Sequence, residues 1–239
     1  MKRVFATKPL LPYLAWPLHS LGISAELSDI SSPPFDGDQY FSLHTARSAT
    51  GQTSLTSITH HRRYRQRLVS APATFLESTF AQSIMQKAQE QLAIQDWFGS
   101  ATIRFDHNGE FFDLTRGVQR ESIWTIDYSV TSAFENEVRA VHDLPLGDVS
   151  ARTNNWMTIE FDAPRDLDMI HPYKHLMARN LRFKFHHYDS HTGVISLSDE
   201  SVDLWEDLTH AVDYLEGVDR KSTRLNSSHE WISRMPSSA

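Results

Sequence analysis

The stretch Ala101 to Thr115 constrains this chain more than any other, because an Asn108-Gly109 pair divides two runs of alternating polarity. Asn-Gly suits the two positive-φ positions of a type I′ turn, whose twist matches the strands it joins. The pair predicts a hairpin in which Phe105 faces Phe112 and Ile103 faces Leu114 on one side. On the other side Arg104 faces Asp113 and Thr102 faces Thr115. Apolar contact and opposite charge agree on this single register.

Neighbouring segments extend the pattern. Trp124, Ile126, Tyr128 and Val130 alternate with Thr125, Asp127 and Ser129, which predicts a further antiparallel strand with Asp127 on its solvent face. Trp156 to Phe161 predicts another strand. Leu181, Phe183 and Phe185, a turn at Asp189 to Gly193, and Val194 to Ser198 predict a second hairpin with a longer loop. Gln39 to Thr45 and Gln52 to Thr59 are rich in Ser and Thr and read as an exposed ribbon.

Helical spacing appears in four places. Leu76, Phe80, Ile84, Ala88 and Leu92 form one stripe over Thr74 to Gln95, with Thr74 and Glu77 at capping-box spacing. Ser132 to His142 and Asp166 to Asn180 are shorter helices, Pro172 being tolerable near a helix start. Ser198 is placed to cap a last helix with Trp205, Leu208, Val212 and Leu215 on its apolar face. The expected fold is α+β, a mainly antiparallel sheet with two hairpins and helices packed on one face.

The first 37 residues read as a Pro-rich arm and linker. Lys2, Arg3 and Lys8 precede any acid, but Pro9, Pro12, Pro17 and His19 interrupt a targeting helix, so an extended arm packing on the domain is expected. Ser31 to Gly37 would be the linker and residues 38–218 the domain. Cysteine is absent, which removes a disulfide framework, a Cys-ligated zinc and a thiol nucleophile, and suits an intracellular, cytoplasmic setting. No run approaches the length of a membrane span.

The last segment, Asp219 to Ala239, resembles an in-frame translation of a short-read sequencing adapter. Asp219 to His229 reads DRKSTRLNSSH and Ser233 to Ala239 reads SRMPSSA, with Glu230, Trp231 and Ile232 at the variable index. The resemblance implies a non-native, disordered tail with few packing contacts and a native domain incomplete at its C-terminus. Setting aside the tail's four basic and two acidic residues turns 23 basic into 19 and 30 acidic into 28, a net charge of −9. Such a balance opposes a surface that grips nucleic acid everywhere, while permitting a local basic patch.

One such patch exists. Arg62, Arg63, Arg65 and Arg67 surround Tyr64, so guanidinium forks for phosphate lie beside a ring that can stack on a base. A solvated loop or helix face pairing with some of the surplus carboxylates explains the same residues. His171 and His175 have the i, i+4 spacing that can place two imidazoles on one metal ion, though HPYKH lacks the glutamate of a metalloprotease helix. Asp189 and His191 are candidate further ligands. No Walker loop, nucleophile elbow or dinucleotide-binding turn is present.

The leading expectation is a non-catalytic intracellular binding protein, with nucleic acid or another protein as its partner, no membrane and no cofactor. The first alternative is a metal-dependent hydrolase using His171, His175 and either Asp189 or His191, a divalent ion activating water. The second is a capsid or other assembly subunit.

Overall fold

A computed structural model describes residues 2–31, 37–94 and 97–217. The expectations for most of the linker and for Asp219 to Ala239 lie outside these described residues. The chain divides into two compact units, Met1–Thr158 and Ile159 onward.

Unit 1 opens with β1 (Arg3–Ala6), a 3-10 helix (Lys8–Leu14), α1 (Ala15–Ser20) and β2 (Glu26–Asp29). β1 and β2 pair in parallel. The expected extended arm is instead folded: Val4, Ala6, Leu10 and Leu14 are fully buried. Pro9 sits in the first turn of the 3-10 helix, where its missing N–H is not needed.

The main sheet of unit 1 has β3 (Gln39–Arg47) at its centre, between β5 (Thr59–Tyr64) and β7 (Gly99–Phe105). β4 (Thr53–Leu55) also pairs with β3. β6 (Arg67–Pro72) continues the sheet beyond β5, and β8 (Phe111–Arg116) continues it beyond β7, every pairing being antiparallel. The exposed ribbon is thereby corrected: β3 is buried along nearly its whole length despite its polar composition.

α2 (Ser78–Ile94) covers one face of this sheet, burying Ile84, Ala88 and Leu92 against Phe41, Leu43, Ile103 and Phe105. It begins after Glu77, so Thr74 and Glu77 lie ahead of the helix rather than forming its capping box. The strand expected at Trp124 to Val130 is instead the short helix α3 (Thr125–Tyr128), which follows a 3-10 turn (Arg120–Ser122). Trp124 and Tyr128 are also four apart, and on a helical turn both reach Trp156; the two indoles stack at 4.5 Å between centroids. α4 (Ala133–Val141) follows, capped by Ser132 through the N–H of Glu135.

Unit 2 places β11 (Thr192–Leu197) between β10 (Lys184–His187) and β9 (Met157–Asp162), the last starting at the boundary. The β10–β11 hairpin is antiparallel, as expected. α5 (Ile170–Arg179) and α6 (Leu204–Leu215) are joined by Arg179 and Asp207 at 2.8 Å. The cap of α6 is Asp203, which accepts the N–H groups of Trp205 and Glu206, not Ser198. The chain is thus a mixture of helices and mostly antiparallel sheet.

Candidate functional site

Alternate side chains on a strand point to opposite faces. In the main sheet of unit 1 this separates an apolar face, under α2, from a polar one. The polar face carries Tyr40, Ser42 and His44 of β3, His61 of β5, Ser70 of β6, and Thr102 and Arg104 of β7. Asp113 and Thr115 of β8 complete it; register sets Arg104 opposite both Ser42 and Asp113. Most of these side chains are buried, so each requires a partner.

Arg104 organises the group. Its side chain is 2% exposed; Nε donates to Glu121 Oε1 at 2.7 Å, and Nη1 donates to Asp113 Oδ2 and to Thr115 Oγ1. The Thr115 hydroxyl donates in turn to Asp113 Oδ2 at 2.6 Å. Glu121, from the 3-10 turn after β8, also accepts the Tyr40 hydroxyl at 3.1 Å. The ring of Tyr40 stacks on His61 with centroids 4.5 Å apart. His61 is held on both nitrogens, Nε2 by Ser42 at 2.7 Å and Nδ1 by Ser70 at 2.8 Å. His44 Nδ1 meets the Ser122 hydroxyl at 2.9 Å, while its buried Nε2 has no hydrogen-bond partner among the described residues.

The charges follow from these contacts. Burial pushes Glu121 toward its neutral form, but the adjacent guanidinium outweighs burial and holds the carboxyl down to about 2. Arg104 is opposed by its own burial, and Glu121 and Asp113 more than restore its charge. Burial lowers His44 and His61 to about 3 against the pull of Glu121, so both imidazoles are neutral at ordinary pH. The face therefore presents a charged Arg104 and an ionised Glu121, with the side chain of Asp113 beside them and two neutral hydrogen-bonding imidazoles. It approaches solvent at Asp113, whose side chain is 22% exposed.

A second feature of unit 1 is a cavity of about 400 Å³ lined by Phe5, Trp97, Phe98, Arg116, Glu137 and Val141 among others. Glu137 is fully buried there and accepts the backbone N–H groups of Phe5 and Ser100. These bonds make it a clamp between β1 and β7.

The basic run forms the β5–β6 hairpin. Arg65 and Gln66 occupy its tip with positive φ, and the Arg65 guanidinium lies 5.2 Å from the centre of the Tyr64 ring. One side of the ring that would stack on a base is thus covered by Arg65. Arg62, Arg63 and Arg67 lie along the two strands of the hairpin.

Unit 2 does not assemble His171, His175, Asp189 and His191 into a metal centre. His175 stacks on Tyr214 at 4.3 Å, and His171 Nε2 lies 3.4 Å from the Tyr214 hydroxyl. Asp189 Oδ1 accepts the N–H groups of His191 and Thr192 and a bond from Arg165, which closes the β10–β11 turn. His191 Nε2 sits 3.3 Å from the Leu167 carbonyl. Among the described residues no group of three or more His, Cys, Asp or Glu side chains is placed to hold a metal ion. No helix among them is long and apolar enough to cross a membrane.

Of the polar-face residues, Arg104 and Asp113 are paired by the sequence through the hairpin register. Tyr40, Ser42, His44 and Glu121 are missed. Their signal was the period-2 set Tyr40, Ser42, His44, which reads equally well as a solvent face.

Neither any protein-family model nor any curated protein sequence matches the chain. Solved structures do match its fold. The N5-carboxyaminoimidazole ribonucleotide synthetase of Thermus thermophilus has a TM-score of 0.58 at 20% identity, over 87% of this chain and 54% of that one. The Aspergillus clavatus carboxyaminoimidazole ribonucleotide synthase, solved with ATP, has a TM-score of 0.61 at 13% identity, over 76% and 52%. A glycinamide-RNase-transformylase T structure from Mycobacterium tuberculosis has a TM-score of 0.62 at 15% identity, over 79% and 53%. The chain spans about half the length of the solved structures it resembles. This likeness overturns the expectation of a non-catalytic binding protein, because the fold matched is that of enzymes, among them structures solved with ATP or ADP.

Proposed function

We propose that this chain is part of an ATP-dependent enzyme of the synthetase kind, and that the polar face around Arg104 handles the nucleotide phosphates. The observation that carries the reading is the fold likeness to synthetases, one of them solved with ATP and another with ADP. The polar face agrees with it chemically. A guanidinium that keeps its charge and offers a planar fork is suited to phosphate oxygens. Asp113, on the solvent side, is the carboxylate an incoming anion would displace from Arg104. Tyr40, fixed by His61, holds Glu121 in place behind the guanidinium.

Nucleoside triphosphates commonly bind with Mg²⁺, carried by one or two carboxylates plus phosphate oxygens. Asp113 and Glu121 are the right kind of donor, but both are engaged by Arg104. An ion on either carboxylate would lie within roughly 5 Å of the guanidinium, where a divalent charge meets about 7 kcal/mol of repulsion at an effective dielectric constant near 20. The residues present do not fit a divalent ion while Arg104 keeps its place.

Calorimetric titration of the full chain with ATP and with ADP tests the reading. Binding in the micromolar to millimolar range is expected, weakened at least about tenfold by Arg104→Ala, a loss of roughly 1.4 kcal/mol. Absence of heat for both nucleotides at about 1 mM would remove the proposal.

A further inference from the structure

We infer that Arg104 is a built-in substitute for a metal ion: phosphate binds the polar face of unit 1 without a divalent cation, and Asp113 and Glu121 accept one only when the guanidinium is removed. The part concerning phosphate rests on the function proposed above; the part concerning the two carboxylates does not. The geometry behind both is the double engagement of Arg104, through Nε to Glu121 and through Nη1 to Asp113. Each carboxylate gives the guanidinium the oxygen that also receives a hydroxyl, from Tyr40 in one case and Thr115 in the other. Two carboxylates, one guanidinium and two hydroxyls are thus joined by hydrogen bonds, with the guanidinium side chain at their centre 2% exposed. A metal ion would have to break these bonds, whereas a phosphate needs only to replace Asp113 at the solvent edge.

The decisive experiment titrates Mn²⁺ alone into the full chain and follows free Mn²⁺ by electron paramagnetic resonance. The wild-type chain is expected to take up none with a Kd below about 1 mM, while Arg104→Met is expected to bind one ion at least about tenfold more tightly than that. Stoichiometric uptake by the wild type that Asp113→Asn abolishes would overturn the inference. So would an Arg104→Met chain that keeps its circular dichroism spectrum and gains no binding.

Should Arg104→Met fail to fold, the wild-type Mn²⁺ titration still decides on the carboxylates, and nucleotide affinity decides on phosphate. ADP is expected to bind equally, within about threefold, in EDTA and in MgCl₂; tightening of about tenfold or more by MgCl₂ overturns the inference. No ADP binding in either condition would count against the proposed function instead, and the Mn²⁺ titration would then decide the inference by itself.

Discussion

The carboxylate of Glu137 accepts the backbone N–H of Phe5 at 2.8 Å, joining α4 to a strand 132 positions earlier. Its other oxygen takes the N–H of Ser100. Burial is the larger influence on this group and the two N–H bonds oppose it, leaving its pKa raised to about 7. A carboxyl whose folded pKa lies above its unfolded value binds more protons when folded, so its contribution to stability declines as pH rises from about 4.5 to 7. Glu137→Gln has no proton to lose and cannot accept both N–H bonds. Its stability deficit relative to wild type is expected to be about 2 kcal/mol larger at pH 5 than at pH 7.5. Urea unfolding at the two pH values measures this, and a pH-independent deficit would refute it.

The histidines of the polar face act in the opposite direction. His44 and His61 are lowered to about 3 by burial, so the unfolded chain binds protons that the folded chain refuses. Their contribution is complete above about pH 6.5 and is lost as pH falls from there toward 3. His61→Gln keeps an amide between Ser42 and Ser70 but no longer titrates. It is expected to cost about 1–3 kcal/mol at pH 7 and to make the acid limb of unfolding shallower. Tryptophan fluorescence during acid titration of both proteins is the measurement; identical limbs would show that His61 is not a source of acid lability.

Arg104 fixes the ranking of two further substitutions. Glu121 is 8% exposed and Asp113 22%, both measured on side chains paired with the same guanidinium. Removing the deeper charge leaves Arg104 with less compensation where water helps least. Glu121→Gln is therefore expected to cost about 3–5 kcal/mol, and Asp113→Asn about 1–2 kcal/mol. Equal losses in denaturant melts would mean that the pair with Glu121 gains nothing from its burial.

How far the fold can be read from the chain is clearest at the first hairpin. Ile103–Leu114, Arg104–Asp113 and Thr102–Thr115 pair in the register that the Asn108-Gly109 turn predicts. Phe105 does not face Phe112; a bulge between Arg104 and Phe105 sets it against Phe111. The cause is Asp106, whose Oδ1 accepts the N–H groups of Asn108 and Glu110 and lengthens the turn. Asn108 accordingly lacks positive φ. The two consecutive positive-φ residues of a hairpin are instead Arg65 and Gln66, where neither Asn nor Gly announces them. Local turn chemistry thus competes with pattern, and composition cannot say which wins. The polar face was illegible for a different reason. Period 2 separates the two faces of a strand, but whether the polar one meets water or Glu121 depends on a segment that returns after the hairpin.

Gly193 offers the sharpest steric test, in unit 2. It stands opposite His187 in the β10–β11 register, and a Cβ built on it would lie 2.2 Å from the carbonyl oxygen of His186. That oxygen is backbone within a paired strand, so it cannot swing aside as a side chain could. The hairpin must open for alanine to fit, with loss of the ladder that holds Val194 and Ile195 in the core. Gly193→Ala is expected to cost about 3 kcal/mol or more, well above the roughly 1 kcal/mol or less of an unhindered exposed substitution. Hydrogen exchange should show the amides of residues 184–187 and 192–197 losing protection. Full protection of those amides in the variant would mean that the strands approach less closely than 2.2 Å implies.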